Sequence, residues 1–371
     1  MPTRREFIKQ VSVAAGVGAA VMGLGLSPAR VVAASEQRWF MPDEGNEHAR
    51  AYMAFGAQDA IWEDFTEDVQ EALGRIARAI ARYEPLTLYC RSGERGLAEE
   101  MCGTSNITYQ IANLDDIWMR DISANFVIND NGLGAVDFNF NGWGNKQRHS
   151  KDAKIAKRVA ADAQATYQRS GLVGEGGGIE VDGHGTAIMT ESCWINENRN
   201  PGWSKGDVEA ELKACLGLRK IIWLPGIKGK DITDAHVDFY ARFVSPGVVI
   251  ANLDTDPRSY DSKVTMAHLD ILKKATDADG RPLQIQTVSP PLKPRKTKFS
   301  KDNDDFAAGY INYFVINGAV LAPEFGDKEA DNKAFDLLKK LYPSRDVVQI
   351  NIDAIAAGGG GIHCVTSHQP A

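Results

Sequence analysis

The sequence predicts a single α/β domain in which one structural unit is repeated about five times around a common axis. The first observation is that a strand hairpin, a helix and a further strand recur in that order along residues 35–371. The second is that each copy is too short to bury both faces of its own sheet, so neighbouring copies must pack together. The third is the composition, with 43% hydrophobic and 25% charged residues, which is typical of a soluble globular protein.

The first unit is predicted to contain the clearest helix of the chain, at 64–82, because apolar residues recur there at helical spacing. These residues are Phe65, Val69, Leu73, Ile76 and Ile80. Strands are predicted at 52–55, 86–90 and 107–111, and a short helix at 94–101.

The later units repeat this order. Hairpins are predicted at 124–128 with 134–140, 179–183 with 186–190, 237–244 with 248–252, and 310–316 with 319–322. Helices are predicted at about 151–168, 205–216, 260–275 and 328–341. The remaining predicted strands are 220–224, 283–288 and 347–350, and a long polar loop occupies 289–305.

The net charge of the chain limits the kinds of molecule that it is expected to bind. The formal net charge is -7, and residues 1–34 contribute +3 to it, so the remainder carries -10. Such an acidic protein is poorly suited to neutralising the phosphates of a nucleic acid. Its long-range field instead favours cationic substrates, as a weak and salt-dependent bias.

Residues 1–34 are predicted to be a twin-arginine signal peptide rather than part of the fold. Residues 3–9 resemble the twin-arginine motif, an apolar run follows at 11–26, and Val32-Ala33-Ala34 offers small residues for cleavage. We therefore expect export to the periplasm or secretion, with 35–371 as one domain free of the membrane. An uncleaved membrane anchor is the alternative, but the run is short and rich in glycine.

A run of four glycines at 358–361 stands just before Cys364. Such a run is poor in a helix or strand, but it lets the backbone pass close to a ligand. The cysteine could then present its sulfur into a pocket. The alternative is a flexible linker with an incidental thiol, which we favour less because few residues follow that it could connect.

The cysteine count is five, so at least one thiol is unpaired unless chains are cross-linked. No C-x-x-C pair occurs, so zinc ribbons and thioredoxin-like sites are not supported. The sequence leaves open whether any of the other four form a disulfide; these are Cys90, Cys102, Cys193 and Cys215.

His236 and Asp238 form an H-x-D pair at the start of a predicted strand. Alternate residues of a strand share a face, so the two side chains should point the same way. A carboxylate beside an imidazole raises its pKa and suits it to act as acid and then as base. A surface histidine is the alternative. The seven histidines show no H-x-x-x-H spacing, so we predict no metal site.

Two further segments carry acidic residues. Segment 115–121 contains two aspartates, Trp118 and the pair Arg120-Asp121. Carboxylates can hold a guanidinium with paired hydrogen bonds, and an aromatic face can cover a cation. Segment 174–178 holds Glu175 in a glycine turn. Taken alone, each segment is equally compatible with an ordinary solvated turn.

Together the four features supply one thiol, one imidazole and several carboxylates. A thiolate is a strong nucleophile when nearby positive charge lowers its pKa. Carboxylates have the opposite effect, so the site makes sense if the substrate itself is cationic. The reacting group of the substrate is therefore expected to be an amidine or a guanidinium rather than an amide.

These segments, in this order, resemble the agmatine deiminase family of the guanidine-modifying pentein superfamily, which is related to bacterial-type peptidylarginine deiminases. The likeness spans 39–370 and is carried by 114–121, 138–146, 174–177, 231–243, 310–313 and 358–364. The resemblance implies a five-bladed α/β propeller with the site at its centre, in agreement with the repeat count. The chain departs from the family pattern at Gly45, at 52–62 and at 122–124.

The resemblance also implies roles for individual residues in a single deiminase domain. Cys364 would attack the guanidinium carbon, and His236 would transfer protons. Asp121 and Asp238 would hold the guanidinium nitrogens. The residues expected around the substrate are Trp118, Trp143, Glu175, Asp115 and Gly360. The resemblance implies no metal and no cofactor.

The expected substrate is a small cationic guanidine, with agmatine first. The alternatives are a deiminase acting on peptidylarginine or free arginine to give citrulline, an amidinotransferase, and a non-catalytic polyamine- or guanidine-binding protein. A papain-like protease is a weaker alternative because the site is rich in acids. The basic segment 293–298 is either a lid that favours a carboxylate-bearing substrate, such as an arginyl peptide, or solvated surface. The sequence leaves homo-oligomerisation open.

Overall fold

The computed structural model of the protein describes residues 38–371. The predicted signal peptide at 1–34 lies outside the described residues. Within the described part of the chain, no helix has both the length and the apolar character needed to cross a bilayer.

The strands, in chain order, are β1 (His48–Phe55), β2 (Leu86–Cys90), β3 (Ile107–Ile111), β4 (Asn125–Asn129), β5 (Gly132–Asp137), β6 (Thr166–Arg169), β7 (Glu180–Val181), β8 (Thr186–Thr190), β9 (Lys220–Leu224), β10 (Ala241–Ser245), β11 (Val248–Asn252), β12 (Gln284–Val288), β13 (Phe314–Ile316), β14 (Ala319–Glu324), β15 (Asp346–Asn351) and β16 (Thr366–Pro370). The helices are Asp59–Trp62, Thr66–Ala81, Arg95–Cys102, Met119–Ile122, Gly142–Asn145, Ile155–Asp162, Glu191–Trp194, Lys205–Leu216, Ser262–Lys274, Lys328–Leu341 and Asp353–Ala356.

These strands form five separate small sheets, which confirms the predicted repeat. Four of the sheets have three strands each, in the orders β4-β5-β6, β7-β8-β9, β10-β11-β12 and β13-β14-β15. In each of them the first two strands form an antiparallel hairpin, and the third returns parallel to the middle strand after a helix. A return in parallel needs a crossover connection, and this is why each unit carries a helix.

The first sheet differs because its hairpin partner comes from the far end of the chain. Its order is β16-β1-β2-β3, and β16 runs antiparallel to β1, from His48 opposite Pro370 to Met53 opposite Thr366. Strand β16 therefore takes the position that β4, β7, β10 and β13 occupy in the other sheets. This pairing links the first and last units into a closed five-unit arrangement. No strand was predicted at Thr366–Pro370 from the sequence.

The helix Thr66–Ala81 shows why the periodic pattern was informative. Val69, Leu73, Ile76 and Ile80 are fully buried, and the helix packs against β1, β14 and β15. Burying each such side chain contributes roughly 1.5–3 kcal/mol to the free energy of unfolding. The predicted helix at 64–82 is confirmed, with slightly shorter bounds.

Two predicted elements were wrong. The helix predicted at 151–168 ends at Asp162, because Gln164 has a left-handed φ of 55° and the chain then enters β6, which pairs in parallel with β5. The strand predicted at 237–244 begins as a short 3₁₀ helix, Val237–Phe239, and only β10 is extended. Tertiary pairing overrides local propensity in the first case.

Candidate active site

In each of the five sheets, the segment just before the edge strand carries a candidate functional residue. The edge strands β4, β7, β10 and β16 follow shortly after Asp121, Gly177, Asp238 and Cys364, respectively. The fifth edge strand, β13, follows shortly after Asn312. Because these positions are equivalent in the repeat, the closed arrangement brings the five segments together at its centre.

Gly177 marks the point where three of the predicted side chains converge. A Cβ atom built on Gly177 would lie 2.5 Å from Nδ1 of His236, 2.9 Å from Oδ1 of Asp121 and 3.2 Å from Oδ2 of Asp238. Real Cβ atoms essentially never approach other heavy atoms below 3.0 Å. The glycine turn at 174–178 is therefore a close approach of backbone to the site rather than an ordinary loop.

Asp121 is held by donors on both oxygens. The indole of Trp143 donates to Oδ2 at 2.9 Å, and the amide of Gly177 donates to Oδ1 at 3.0 Å. Trp143 reaches this position with a left-handed φ of 55°, which is rare for a bulky residue and typical of functional sites. Burial, with Glu175 and Asp238 nearby, raises the pKa of Asp121 to about 6 despite the opposing charge of His236.

Cys364 and Asp238 are in direct contact. The sulfur of Cys364 lies 3.7 Å from Oδ2 of Asp238, and that same oxygen lies 2.7 Å from Nδ1 of His363. Burial opposes ionisation of Asp238, but His363 and His236 outweigh it and lower the pKa of the carboxyl. Burial, together with Asp238 and Asp121, raises the pKa of the Cys364 thiol well above its usual value. The sulfur is therefore a thiol while no cation is bound.

His236 lies between two carboxylates. Its Nδ1 is 3.7 Å from Oδ1 of Asp121, and its Nε2 is 3.2 Å from Oε2 of Glu175. Burial disfavours the imidazolium, but Asp121, Cys193 and Glu175 outweigh it and raise the pKa of His236 well above its usual value. The imidazole is therefore ready to donate a proton. The same-face argument from a strand was wrong, because His236 precedes a 3₁₀ helix, yet both His236 and Asp238 reach the site.

Glu175 is anchored from behind by Arg199. The guanidinium Nε of Arg199 lies 2.9 Å from both oxygens of Glu175, and its Nη1 lies 2.8 Å from Oδ2 of Asp234. Although burial opposes the charge, Arg199 lowers the pKa of Glu175. A fixed carboxylate then orients His236 and stabilises its positive form.

Glu175, Cys193 and His236 also bring three ligand-type atoms within 4.8 Å of one another. Both oxygens of Glu175 already accept from Arg199, and the thiol of Cys193 donates to Oε2 at 3.7 Å. A divalent cation there would have to displace a buried guanidinium. The donor set therefore fits an ion pair better than a metal site. The five cysteines are all unpaired in the structure.

The glycine run packs against aromatic rings. A Cβ on Gly360 would lie 2.1 Å from the ring of Trp118, and one on Gly358 would lie 2.3 Å from the ring of Trp62. Both indoles donate to Asp116, at 2.9 Å and 2.7 Å respectively. Trp118 and Gly360, both predicted around the substrate, thus form one packed wall beside Cys364.

Asp115 does not join this group. Its side chain accepts from the amide of Lys151 at 2.7 Å, lies 3.5 Å from the guanidinium of Arg148, and is only 1% exposed. Its amide in turn donates to Asp152 at 2.7 Å. These contacts tie two loops together, and none of them is to Cys364, His236, Asp121 or Asp238, so the expected contact of Asp115 with the substrate stays a prediction.

Glu44 is a central residue that the sequence analysis missed. Its carboxylate accepts from Arg120 and Arg242 at 2.8 Å each, and lies 3.0 Å from Nε2 of His363. Burial opposes its charge, but Arg242, His363 and Arg120 outweigh burial and lower its pKa well below the usual range. Glu44 therefore connects three segments that come from different sheets.

A cavity of about 540 Å³ opens beside His236 and reaches Gly358 and Gly359. Six aspartates and one lysine line it: Asp231, Asp254, Asp256, Asp261, Asp304, Asp305 and Lys230. No residue of the basic segment 293–298 lines this cavity, and within the segment Lys298 pairs with Asp68 at 2.6 Å and Arg295 pairs with Glu324 and Asp353. The cavity is therefore negative, contrary to the lid hypothesis for a carboxylate-bearing substrate.

Comparison with known proteins agrees with this geometry. The family model of the Porphyromonas-type peptidyl-arginine deiminases matches residues 40–370. A putative agmatine deiminase of Streptomyces coelicolor is 40% identical over 340 residues, covering 89% of this chain and 98% of the relative. The agmatine deiminase of Stutzerimonas stutzeri is 35% identical, covering 90% and 96%.

Among solved structures, the agmatine deiminase of Enterococcus faecalis superposes with a TM-score of 0.84 at 28% identity, covering 90% of this chain and 96% of that chain. The five sheets seen here therefore have the same mixed α/β propeller fold as that enzyme.

Proposed function

Because the chain belongs to the Porphyromonas-type peptidyl-arginine deiminase family, we propose that it hydrolyses the C–N bond of a guanidinium group, with agmatine as the leading substrate and N-carbamoylputrescine and ammonia as products. The observation that carries this proposal is the contact between the sulfur of Cys364 and a carboxylate of Asp238, within a cluster that also holds Asp121 and His236. A planar cation is the ligand that such a set can both bind and attack.

Asp121 and Asp238 bind the guanidinium from two sides. Oδ1 of Asp238 is buried and has no hydrogen-bond partner within residues 38–371, so it is available to accept from a substrate N–H. Charge-assisted hydrogen bonds to guanidinium groups are stronger than neutral ones. The bound cation also offsets the negative field that keeps Cys364 protonated, so substrate binding and activation of the nucleophile occur together.

The first half of the reaction forms a covalent intermediate. When the cation binds, the thiol of Cys364 releases its proton to solvent. The thiolate then attacks the central guanidinium carbon, a C–S bond forms, and the electron pair of a C–N π bond moves onto nitrogen. His236 donates its proton to one NH₂ group, the C–N bond breaks, and ammonia leaves. Asp121 and Asp238 stabilise the positive charge on the remaining nitrogens throughout.

The second half releases the product. The imidazole of His236, now neutral, takes a proton from water, and the water oxygen attacks the same carbon. The C–S bond breaks, the hydroxyl proton passes to the leaving sulfur and restores the Cys364 thiol, and the product is the corresponding urea. Glu175, fixed by Arg199, holds His236 in place in both halves.

The acidic cavity beside His236 supports a cationic tail on the substrate. Six aspartates against one lysine favour the ammonium group of agmatine and disfavour the α-carboxylate of free arginine. The named relatives point the same way, since both are agmatine deiminases or putative ones. We include export through the predicted twin-arginine signal in the proposal, so that the reaction would take place outside the cytoplasm.

The test is an ammonia-release screen with purified protein over agmatine, free arginine and an arginyl peptide, each without added amine. We expect the highest kcat/KM for agmatine. A higher kcat/KM for the arginyl peptide would instead identify peptidylarginine as the substrate. Turnover only with an added amine acceptor would identify an amidinotransferase, and binding without turnover of any guanidine would reject the catalytic proposal.

A further inference from the structure

We propose that Asn312 is a further catalytic residue, which donates a hydrogen bond to the sulfur of Cys364 and stabilises its thiolate. The inference rests on the proposed function, because it assigns a role in the same reaction. Four of the five units already contribute a residue from the segment that enters the edge strand. Asn312 is the contribution of the fifth unit, just before β13.

The contact is direct. The side-chain nitrogen of Asn312 lies 3.3 Å from the sulfur of Cys364, and Asn312 is 0% exposed. An N–H donor facing a sulfur stabilises the thiolate more than the thiol, because a hydrogen bond to a charged acceptor is the stronger one. In a site whose carboxylates oppose the thiolate, Asn312 is a donor that favours it.

The orientation of the amide is fixed by a second hydrogen bond. The amide N–H of Cys364 donates to Oδ1 of Asn312 at 3.3 Å. The side-chain nitrogen also donates to the backbone carbonyl of Asp238 at 3.5 Å, and the backbone N–H of His363 donates to the backbone carbonyl of Asn312 at 3.2 Å. A flipped side chain would place its NH₂ group against a backbone N–H, so the nitrogen must face the sulfur.

The last glycine of the run makes this contact sterically feasible. A Cβ on Gly361 would lie 2.4 Å from Oδ1 of Asn312 and 2.9 Å from its Cβ. Any larger residue at 361 would push the side chain of Asn312 away from Cys364. The glycine run thus serves two walls of the site, since Gly358 and Gly360 make room for tryptophan rings and Gly361 makes room for this amide.

The experiment compares Asn312→Asp and Asn312→Ala with Asn317→Asp in the intact protein. Asn317 is a matched control, because its side chain bridges the backbone N–H and C=O of His48 and does not contact Cys364. Two quantities are measured: the steady-state constants with agmatine, and the rate of iodoacetamide alkylation of Cys364 at pH 8, followed by mass spectrometry of its peptide. The second does not depend on any substrate.

In Asn312→Asp, we expect about a tenfold or larger loss of alkylation rate, since a shift of one unit in the thiol pKa changes the thiolate fraction tenfold. We expect kcat to fall by a similar or larger factor with KM little changed. Asn312→Ala should show the same direction, and Asn317→Asp should lose stability only. A wild-type alkylation rate in Asn312→Ala would overturn the proposal. This holds even if Asn312→Asp is impaired by its added charge or fails to fold. Absence of turnover in the wild type would instead overturn the proposed function, and the alkylation rates would still decide the role of Asn312.

Discussion

Nδ1 of His363 lies 2.7 Å from Oδ2 of Asp238, while Oδ1 of the same carboxylate has no hydrogen-bond partner within residues 38–371. Glu44 fixes the other side of the imidazole at 3.0 Å. The residue next to the nucleophile therefore holds one oxygen of Asp238, and the other oxygen remains able to accept a hydrogen bond from a ligand. This arrangement makes Asp238 a binding group with one preset orientation.

Asp238→Asn should lower kcat/KM for agmatine by on the order of a hundredfold, as for the loss of one preorganised electrostatic contact. The amide retains the size of the carboxyl but removes the negative charge that holds the guanidinium. The measurement is steady-state ammonia release, with circular dichroism to confirm the fold. Wild-type kinetics in this variant would remove Asp238 from the site.

Cys364→Ala should abolish ammonia release and change the free energy of unfolding by no more than about 1–2 kcal/mol, because a single sulfur is removed. Cys215→Ala is the control, since Cys215 is half-buried on the helix Lys205–Leu216 and its thiol contacts Glu211. It should retain full activity. Residual turnover in Cys364→Ala well above background would contradict the nucleophile assignment.

The pH profile should report the ionisation of Asp121. Burial raises its pKa to about 6, so the carboxylate needed to hold the guanidinium is lost as the pH falls below that value. The slope of log kcat/KM against pH should therefore increase by about one unit below pH 6. In Asp121→Asn this steepening should be absent, and a wild-type profile without a break near pH 6 would contradict the assignment.

Gly177→Ala should reduce kcat/KM by on the order of a hundredfold, because the new methyl group would lie 2.5 Å from His236 and 2.9 Å from Asp121 and displace both. Gly96→Ala is the matched control: it lies in the helix Arg95–Cys102, and its added Cβ meets no atom within 4 Å. The control should be fully active and equally or more stable. Equal activity of the two variants would show that Gly177 does not limit the site.

Replacing Asp304 and Asp305 together by Asn should raise KM for agmatine several-fold at low salt and reduce its preference over arginine. Both line the cavity, whereas Asp302 belongs to the same exposed loop and does not. Asp302→Asn is therefore the control and should behave as wild type. Since exposed charges are screened, the difference should shrink at high ionic strength. An unchanged KM at low salt would rule out these two residues as contacts of the tail.

The sequence was sufficient to find the residues whose chemical type is rare or distinctive. A cysteine behind four glycines, an H-x-D pair and an acidic turn with tryptophan each point to chemistry, and the structure places Cys364, His236, Asp238 and Asp121 together. The repeat could be counted because hairpins and helices have different periodicity. The overlong helix at 151–168 arose because β6 is defined by its pairing with β5 rather than by its own residues.

The supporting residues could not be found in this way. Arg199 and Glu44 are common residue types outside the segments that carry the resemblance, and Asn312 lies in one of those segments without a distinctive chemical type. Each of the three acts through a partner that is distant in sequence or belongs to another unit. Glu44 and His363, for example, are 319 positions apart and 3.0 Å apart in space. Asp115 shows the converse, since its type and position suggested the site but its bonds serve two loops.

The docking of β16 onto β1 has a consequence for the order in which the molecule matures. Cys364 lies between β15 and β16, so we expect its sulfur to reach the site only after β16 has paired with β1, which is far from it in sequence. A partly assembled molecule with the other units formed could retain carboxylates that capture a guanidine, yet it would have no positioned nucleophile. Pairing of β16 with β1 joins segments that are far apart in sequence and is therefore expected to be slow. Until it occurs, we expect the molecule to bind a guanidine without cleaving it.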